Sequence, residues 1–152
     1  MEKILAEAIA ALVSGRTVAL STILSGSGSL PMSRRSKMLV LPDGTLRGTV
    51  GGGCLEAEVY ASAKEVLGGE SSPRIRRFVL TESEAGAEGL NCGGTVEILT
   101  EAVTPGSVVA VLEACLGMLE RREDAVLATR LDAPGAEGPG KLLLGAGGRV
   151  AG

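Results

Sequence analysis

The chain has 152 residues and a mass of 15.3 kDa, enough for one domain that buries a core without disulfides. Its formal net charge of -3, single Tyr, single Phe and absence of Trp leave neither a basic footprint nor stacking surfaces, so nucleic acid is excluded as an expected partner. With no His and only three Cys, none in a close CxxC pair, the chain lacks Ser–His and Cys–His catalytic pairs and imidazole ligands, and no zinc is expected.

The predicted elements run as follows. Residues 2–14 read as an amphipathic helix with Ile4, Leu5, Ala8, Ile9, Leu12 and Val13 on one face and Gly15 closing it. Residues 17–24 form a β-rich run that enters a polar loop at 25–29. Residues 37–41 are the next strand, Pro42-Asp43-Gly44 a turn, and 45–50 the returning hairpin partner. Residues 55–67 carry a helical stripe of Leu55, Val59, Ala63, Val66 and Leu67, stopped by Gly68-Gly69. Strands are expected at 74–80 and 95–100, with a Glu- and Gly-rich segment between them as a candidate mobile loop. Pro105 is placed in the first turn of a helix through Arg121, on whose apolar stripe Cys115 is a core residue.

The tail repeats the start. Residues 17–24 align with 124–131 at an offset of 107, and 37–40 with 141–144 and 44–48 with 148–152 at an offset of 104. The expected fold class is α+β, with two helix–strand–loop–hairpin units packed as one mixed-sheet body and helices covering the sheet. The organisation is a single domain over 1–152, with 1–104 bearing the motifs and 105–152 a partial repeat of the first unit. By that repeat the glycine-rich residues 144–152 are a hairpin rather than a dinucleotide loop, which needs a following helix and a later acidic residue, and no NAD is expected.

No apolar run is long enough to cross a bilayer, the longest strongly apolar one being residues 8–13, and the start carries no cleavable signal pattern, so no membrane partner is expected. An odd cysteine count without scaffold spacing fits a reducing, cytoplasmic location. The mean hydropathy of +0.30 favours coverage of some apolar surface by a partner, a homodimer being the commonest solution.

Two glycine-flanked cysteine motifs concentrate the chemistry. Gly51-Gly52-Gly53-Cys54 runs into a helix and Cys92-Gly93-Gly94 into a strand. Glycine admits positive φ and close approach of a ligand to the main chain. The amides at a helix start form an anion site whose field also favours the thiolate of a cysteine placed there. Either motif alone is also compatible with a sharp turn and a small core residue.

The ordered set Gly28-Ser29-Leu30-Pro31, Lys37-Met38-Leu39-Val40, Asp43-Gly44, Gly48-Thr49-Val50-Gly51-Gly52-Gly53-Cys54-Leu55-Glu56 and Cys92-Gly93-Gly94-Thr95-Val96-Glu97 resembles the XdhC/CoxI family, over about residues 10–102. Members are accessory factors of molybdenum hydroxylases such as xanthine dehydrogenase and carbon monoxide dehydrogenase. The resemblance implies binding of molybdenum cofactor, support for exchange of an oxo ligand for sulfur, and delivery to an apo molybdenum hydroxylase, with a cysteine desulfurase as sulfur source. Residues 31–36 depart from the family in lacking a glycine, and the Rossmann-like domain that many members carry after this region is expected to be missing or supplied as a separate Rossmann-type subunit.

For such a cofactor, the amides of Gly51, Gly52 and Gly53 and the following helix would hold a phosphate or an oxo group. Gly93 and Gly94 would shape the second loop. Arg34, Arg35 and Lys37 would add charge, and Ser27 and Ser29 hydrogen bonds to the pterin. Cys54 and Cys92 are expected to converge as a molybdenum contact or sulfur carrier, the alternatives being core residues or a disulfide formed on oxidation. Glu56 and Glu97 flank the motifs as candidate orienting or proton-relay groups. Three readings follow: a cofactor chaperone without turnover, a cysteine-dependent sulfurtransferase or thiol oxidoreductase, and an interaction module that docks a Rossmann-type subunit.

Overall fold

Apolar residues spaced three and four apart in the first helix, α1 (Glu2–Val13), turn Leu5, Ala8, Ala11 and Leu12 into the core. The computed structural model describes all residues except 31, 32, 34, 35, 70–72, 81–93 and 132–139. After α1 come β1 (Val18–Gly28), β2 (Lys37–Val40), β3 (Leu46–Gly48), α2 (Gly53–Leu67), β4 (Arg74–Leu80) and β5 (Gly94–Val103). Then follow α3 (Val108–Glu120), β6 (Ala125–Thr129), β7 (Lys141–Gly145) and β8 (Gly148–Ala151). The fold is α+β, and the pairings among the described strands are antiparallel, in the orders β3-β2-β1-β5-β4 and β6-β7-β8.

The pleat sends alternate residues of β1 to opposite faces, and both faces are covered. Ala19, Ile23, Met38, Val40, Val96 and Ile98 pack against Leu55, Val59, Ala63 and Val66 of α2. On the other face Val18, Leu20, Leu39 and Val103 pack with α1 and α3, and Leu143 of the second sheet joins the same cluster. α2 therefore covers one face of the five-stranded sheet, and α1, α3 and the three-stranded sheet share the cluster on the other.

The two helix–hairpin units agree in register. Ala19, Leu20, Ser21 and Thr22 pair with Val40, Leu39, Met38 and Lys37. Val126, Leu127, Ala128 and Thr129 pair with Leu144, Leu143, Leu142 and Lys141. Each residue of the second set is the sequence-aligned counterpart of one in the first. The polar chemistry repeats too: Lys37 Nζ donates to Thr22 Oγ1 at 2.9 Å and Lys141 Nζ to Thr129 Oγ1 at 3.1 Å. A glycine closes each hairpin at a matching place, since a Cβ on Gly48 would lie 2.3 Å from the Lys37 carbonyl and one on Gly152 2.5 Å from that of Lys141.

Two elements differ from the sequence expectation. The polar stretch after residue 24 is not a loop, because β1 continues to Gly28 through an irregularity between Ile23 and Ser25, held by pairing of Ser25, Gly26, Ser27 and Gly28 with Glu97, Val96, Thr95 and Gly94. The third helix starts at Val108 rather than at Pro105, since the intervening Gly106 has φ 144, outside the helical region.

Candidate functional site

The start of α2 is shaped by three successive glycines with φ of 142, 80 and 59 at Gly51, Gly52 and Gly53. An added Cβ on Gly52 or Gly53 would meet nothing within 4 Å, so the glycines are there for backbone conformation and leave open space beside the main chain. Thr49 fixes the entry: its amide donates to the Lys37 carbonyl at 3.0 Å and its Oγ1 accepts from the Gly51 amide at 3.1 Å. Val50, fully buried, pins the loop to the core. Gly52 is the N-cap, and among the described residues no side chain caps the helix.

Cys54 is exposed on the first turn. Glu56 lies on the same turn, and its Oε1 is buried without a hydrogen-bond partner among the described residues. A carboxylate there competes with any anion for the field of the helix start.

The sheet brings a second glycine to this end of the molecule. Gly94 opens β5 opposite Gly28, and a Cβ on it would lie 2.6 Å from the Ser27 carbonyl, 2.9 Å from the Ser29 carbonyl and 2.9 Å from Leu30 Cδ2. The chain after β1 therefore folds back over Gly94, which only a missing side chain permits. Leu30 also packs on the apolar cluster that includes Val50 and Leu55, linking this turn to the α2 loop.

Two residues assigned to the site from sequence are turned away from it. Lys37 shares the pleat face of Leu39, and its amino group reaches Thr22 on the side of α1 and α3, opposite α2. Burial, then the charge of Lys141, hold its pKa below the ordinary lysine value. Ser27 lies beside Gly26, which pairs with the α2-facing Val96, so its side chain projects to the opposite face. Ser29 contributes its carbonyl at Gly94. Arg34, Arg35, Cys92 and Gly93 lie outside the described residues. Among the described residues no group of three or more His, Cys, Asp or Glu is placed to hold a metal ion. Glu97 accepts a 2.7 Å hydrogen bond from Ser25 Oγ.

Sequence reasoning missed Glu101. Its Oε1 accepts from Lys141 Nζ at 2.7 Å in the buried layer between the two sheets, while its Oε2 has no partner among the described residues. The alignment of Lys141 with Lys37 was the available signal that both lysines serve the interior.

The architecture and this loop define an α+β protein of two helix–hairpin units whose first unit ends in a glycine-formed, uncapped helix start bearing an exposed thiol. Residues 11–79 match the model of the XdhC and CoxI family. The chain is 34% identical over 80 residues to the uncharacterized protein YqeB of Escherichia coli K12, an alignment covering 53% of this chain and 14% of YqeB. A solved structure described as a xanthine dehydrogenase from Bacillus halodurans matches with a TM-score of 0.67 at 23% identity, over 100% of this chain and 46% of that one. The chain thus spans less than half the length of either, and the second likeness shows the fold alone. No helix among the described residues is long and apolar enough to cross a membrane.

Proposed function

We propose that the chain acts in molybdenum hydroxylase maturation as an accessory factor that binds molybdenum cofactor at the start of α2 and assists its sulfuration and insertion. The observation that carries this reading is the triple-glycine helix start with exposed Cys54, inside the segment that matches the XdhC and CoxI family model. Amides at a helix start favour an anionic oxygen, and Gly51–Gly53 leave the main chain open to one. Cys54 offers a thiol beside them, as metal contact or sulfur carrier. When bound, the cofactor supplies the metal and dithiolene chemistry of the hydroxylase and presents a phosphate to these amides. Cys92, Gly93, Gly94, Arg34 and Arg35 complete the proposed set; Ser27 and Lys37, on the opposite face, are left out of it. An apo molybdenum hydroxylase, a cysteine desulfurase, a homodimeric state and a cytoplasmic location belong to the same reading.

Anaerobic titration of the protein with molybdenum cofactor tests it. Saturable binding is expected, weakened about tenfold by Cys54→Ala, a change of about 1.4 kcal/mol. Glu56→Gln is expected to strengthen binding by removing a competing carboxylate. Absence of binding by the wild-type chain rejects the reading, and binding indifferent to both substitutions moves the site away from α2.

A further inference from the structure

Among the described residues nothing packs on the outer face of the three-stranded sheet, although its counterpart in the first unit is fully buried. Val126, Leu142 and Leu144 are the register equivalents of Ala19, Met38 and Val40. The latter three are 0% exposed beneath α2, whereas Val126 is 60% exposed and Leu142 and Leu144 are half-buried. The inner face of the second sheet is already occupied, since Leu127 and Leu143 pack in the cluster of α1 and α3. Strands β6 and β7 are therefore apolar on both sides, the pattern of strands covered on both faces rather than of a sheet with one wet face.

We propose that this face is a docking site for an amphipathic α-helix of a separate partner polypeptide, seated on Val126, Ala128, Leu142 and Leu144 as α2 is seated on the first unit. The repeat identifies the occupant. In the first unit the equivalent positions receive Leu55, Val59, Ala63 and Val66, a stripe of small and aliphatic residues at helical spacing. The same helix sends Glu65 to Arg74 and Arg76 at the sheet edge. The second sheet presents a cation of its own, exposed Arg149, paired with Leu144 and so on the outer face. A helix with a narrow aliphatic stripe and a flanking carboxylate meets both the apolar rows and this charge. A second copy of the chain is a poorer occupant, because the stripe of its own α2 is already buried. The proposal is independent of the cofactor reading, which concerns the other sheet.

The probe is a stapled, fluorescently labelled peptide of residues 55–68 of this chain, titrated into the full chain by anisotropy. Saturable one-to-one binding is expected, weakened about tenfold or more by Val126→Glu in the protein or by Glu at the peptide positions of Val59 and Ala63. Because Val126 is exposed, Val126→Glu should keep the wild-type thermal melt, which separates lost docking from lost folding. Absence of saturable binding, or binding indifferent to these substitutions, overturns the proposal. So does a dimer in sedimentation that Val126→Glu dissociates, since the face would then be covered by a second copy.

Discussion

Lys141 Nζ and Glu101 Oε1 lie 2.7 Å apart with both side chains 2% exposed, joining β7 of the second sheet directly to β5 of the first. Among the described residues Glu101 Oε2 is buried without a hydrogen-bond partner, so Lys141 supplies the carboxylate's one direct ion pair there, with the Lys37 charge also nearby. Removing a single member of a buried pair strands the other charge, a loss of about 3–5 kcal/mol, while replacing both by apolar residues is often neutral. Lys141→Met is therefore expected to lower the urea midpoint strongly, and the Lys141→Met, Glu101→Leu double variant to recover most of it. A single variant as stable as wild type would show the pair to be dispensable.

Lys37 gives stability a pH dependence of known sign. Burial places its folded pKa below the ordinary lysine value, so the folded state binds the proton less well than the unfolded chain. The cost is fully present below the folded pKa and fades as pH rises from there to the unfolded value. The stability of wild type relative to Lys37→Met is expected to improve between pH 7 and pH 10. Urea titrations of both proteins at the two pH values read this, and a constant or opposite difference would contradict the burial of the ammonium.

The cysteines should separate by reactivity. Cys54 is exposed and Cys115 buried, and burial pushes the Cys115 thiol above its ordinary pKa. In a Cys92→Ser background, a thiol reagent should modify one group rapidly in the native protein, and that group should vanish in Cys54→Ser. Cys115 should react only on unfolding. Two rapid thiols in the native Cys92→Ser protein would place Cys115 outside the core.

Two glycines of positive φ separate strain from collision. Gly52 has φ 80 and ψ 175, a region essentially reserved to glycine, with nothing within 4 Å of an added Cβ, so Gly52→Ala carries mainly a backbone cost of about 1–3 kcal/mol. At Gly48, with φ 75, the same atom would lie 2.3 Å from the Lys37 carbonyl. Gly48→Ala is expected to depress Tm clearly more than Gly52→Ala. Equal shifts would mean that the β2–β3 pair yields without cost.

Much of the architecture was legible because period and punctuation are local. The stripes of α1 and α2, the turn at Asp43-Gly44, where the Asp43 carboxylate accepts from the Thr45 amide at 2.8 Å, and the GGGC entry to α2 are all written within a few residues. The aligned tail likewise predicted two helix–hairpin units, and the paired residues of β1–β2 and β6–β7 coincide.

What sequence could not yield is which side of a sheet a residue occupies. One irregularity after Ile23 extends β1 through a polar stretch that reads as a loop, and the pleat then turns Ser27 away from α2. Lys37 adjoins the family motif in sequence, yet its strand parity sends it to Thr22 and the interior. Glu101 gave no local sign of a role, because its partner is forty positions away and meets it only when two sheets close on α1 and α3. The chain by itself determined the elements, their repeat and the glycine-formed helix start, since these rest on backbone preferences and short periodicities. Tertiary packing alone decided which faces are covered, which charges are buried together and which apolar rows are left open, because each depends on contacts between segments distant in sequence.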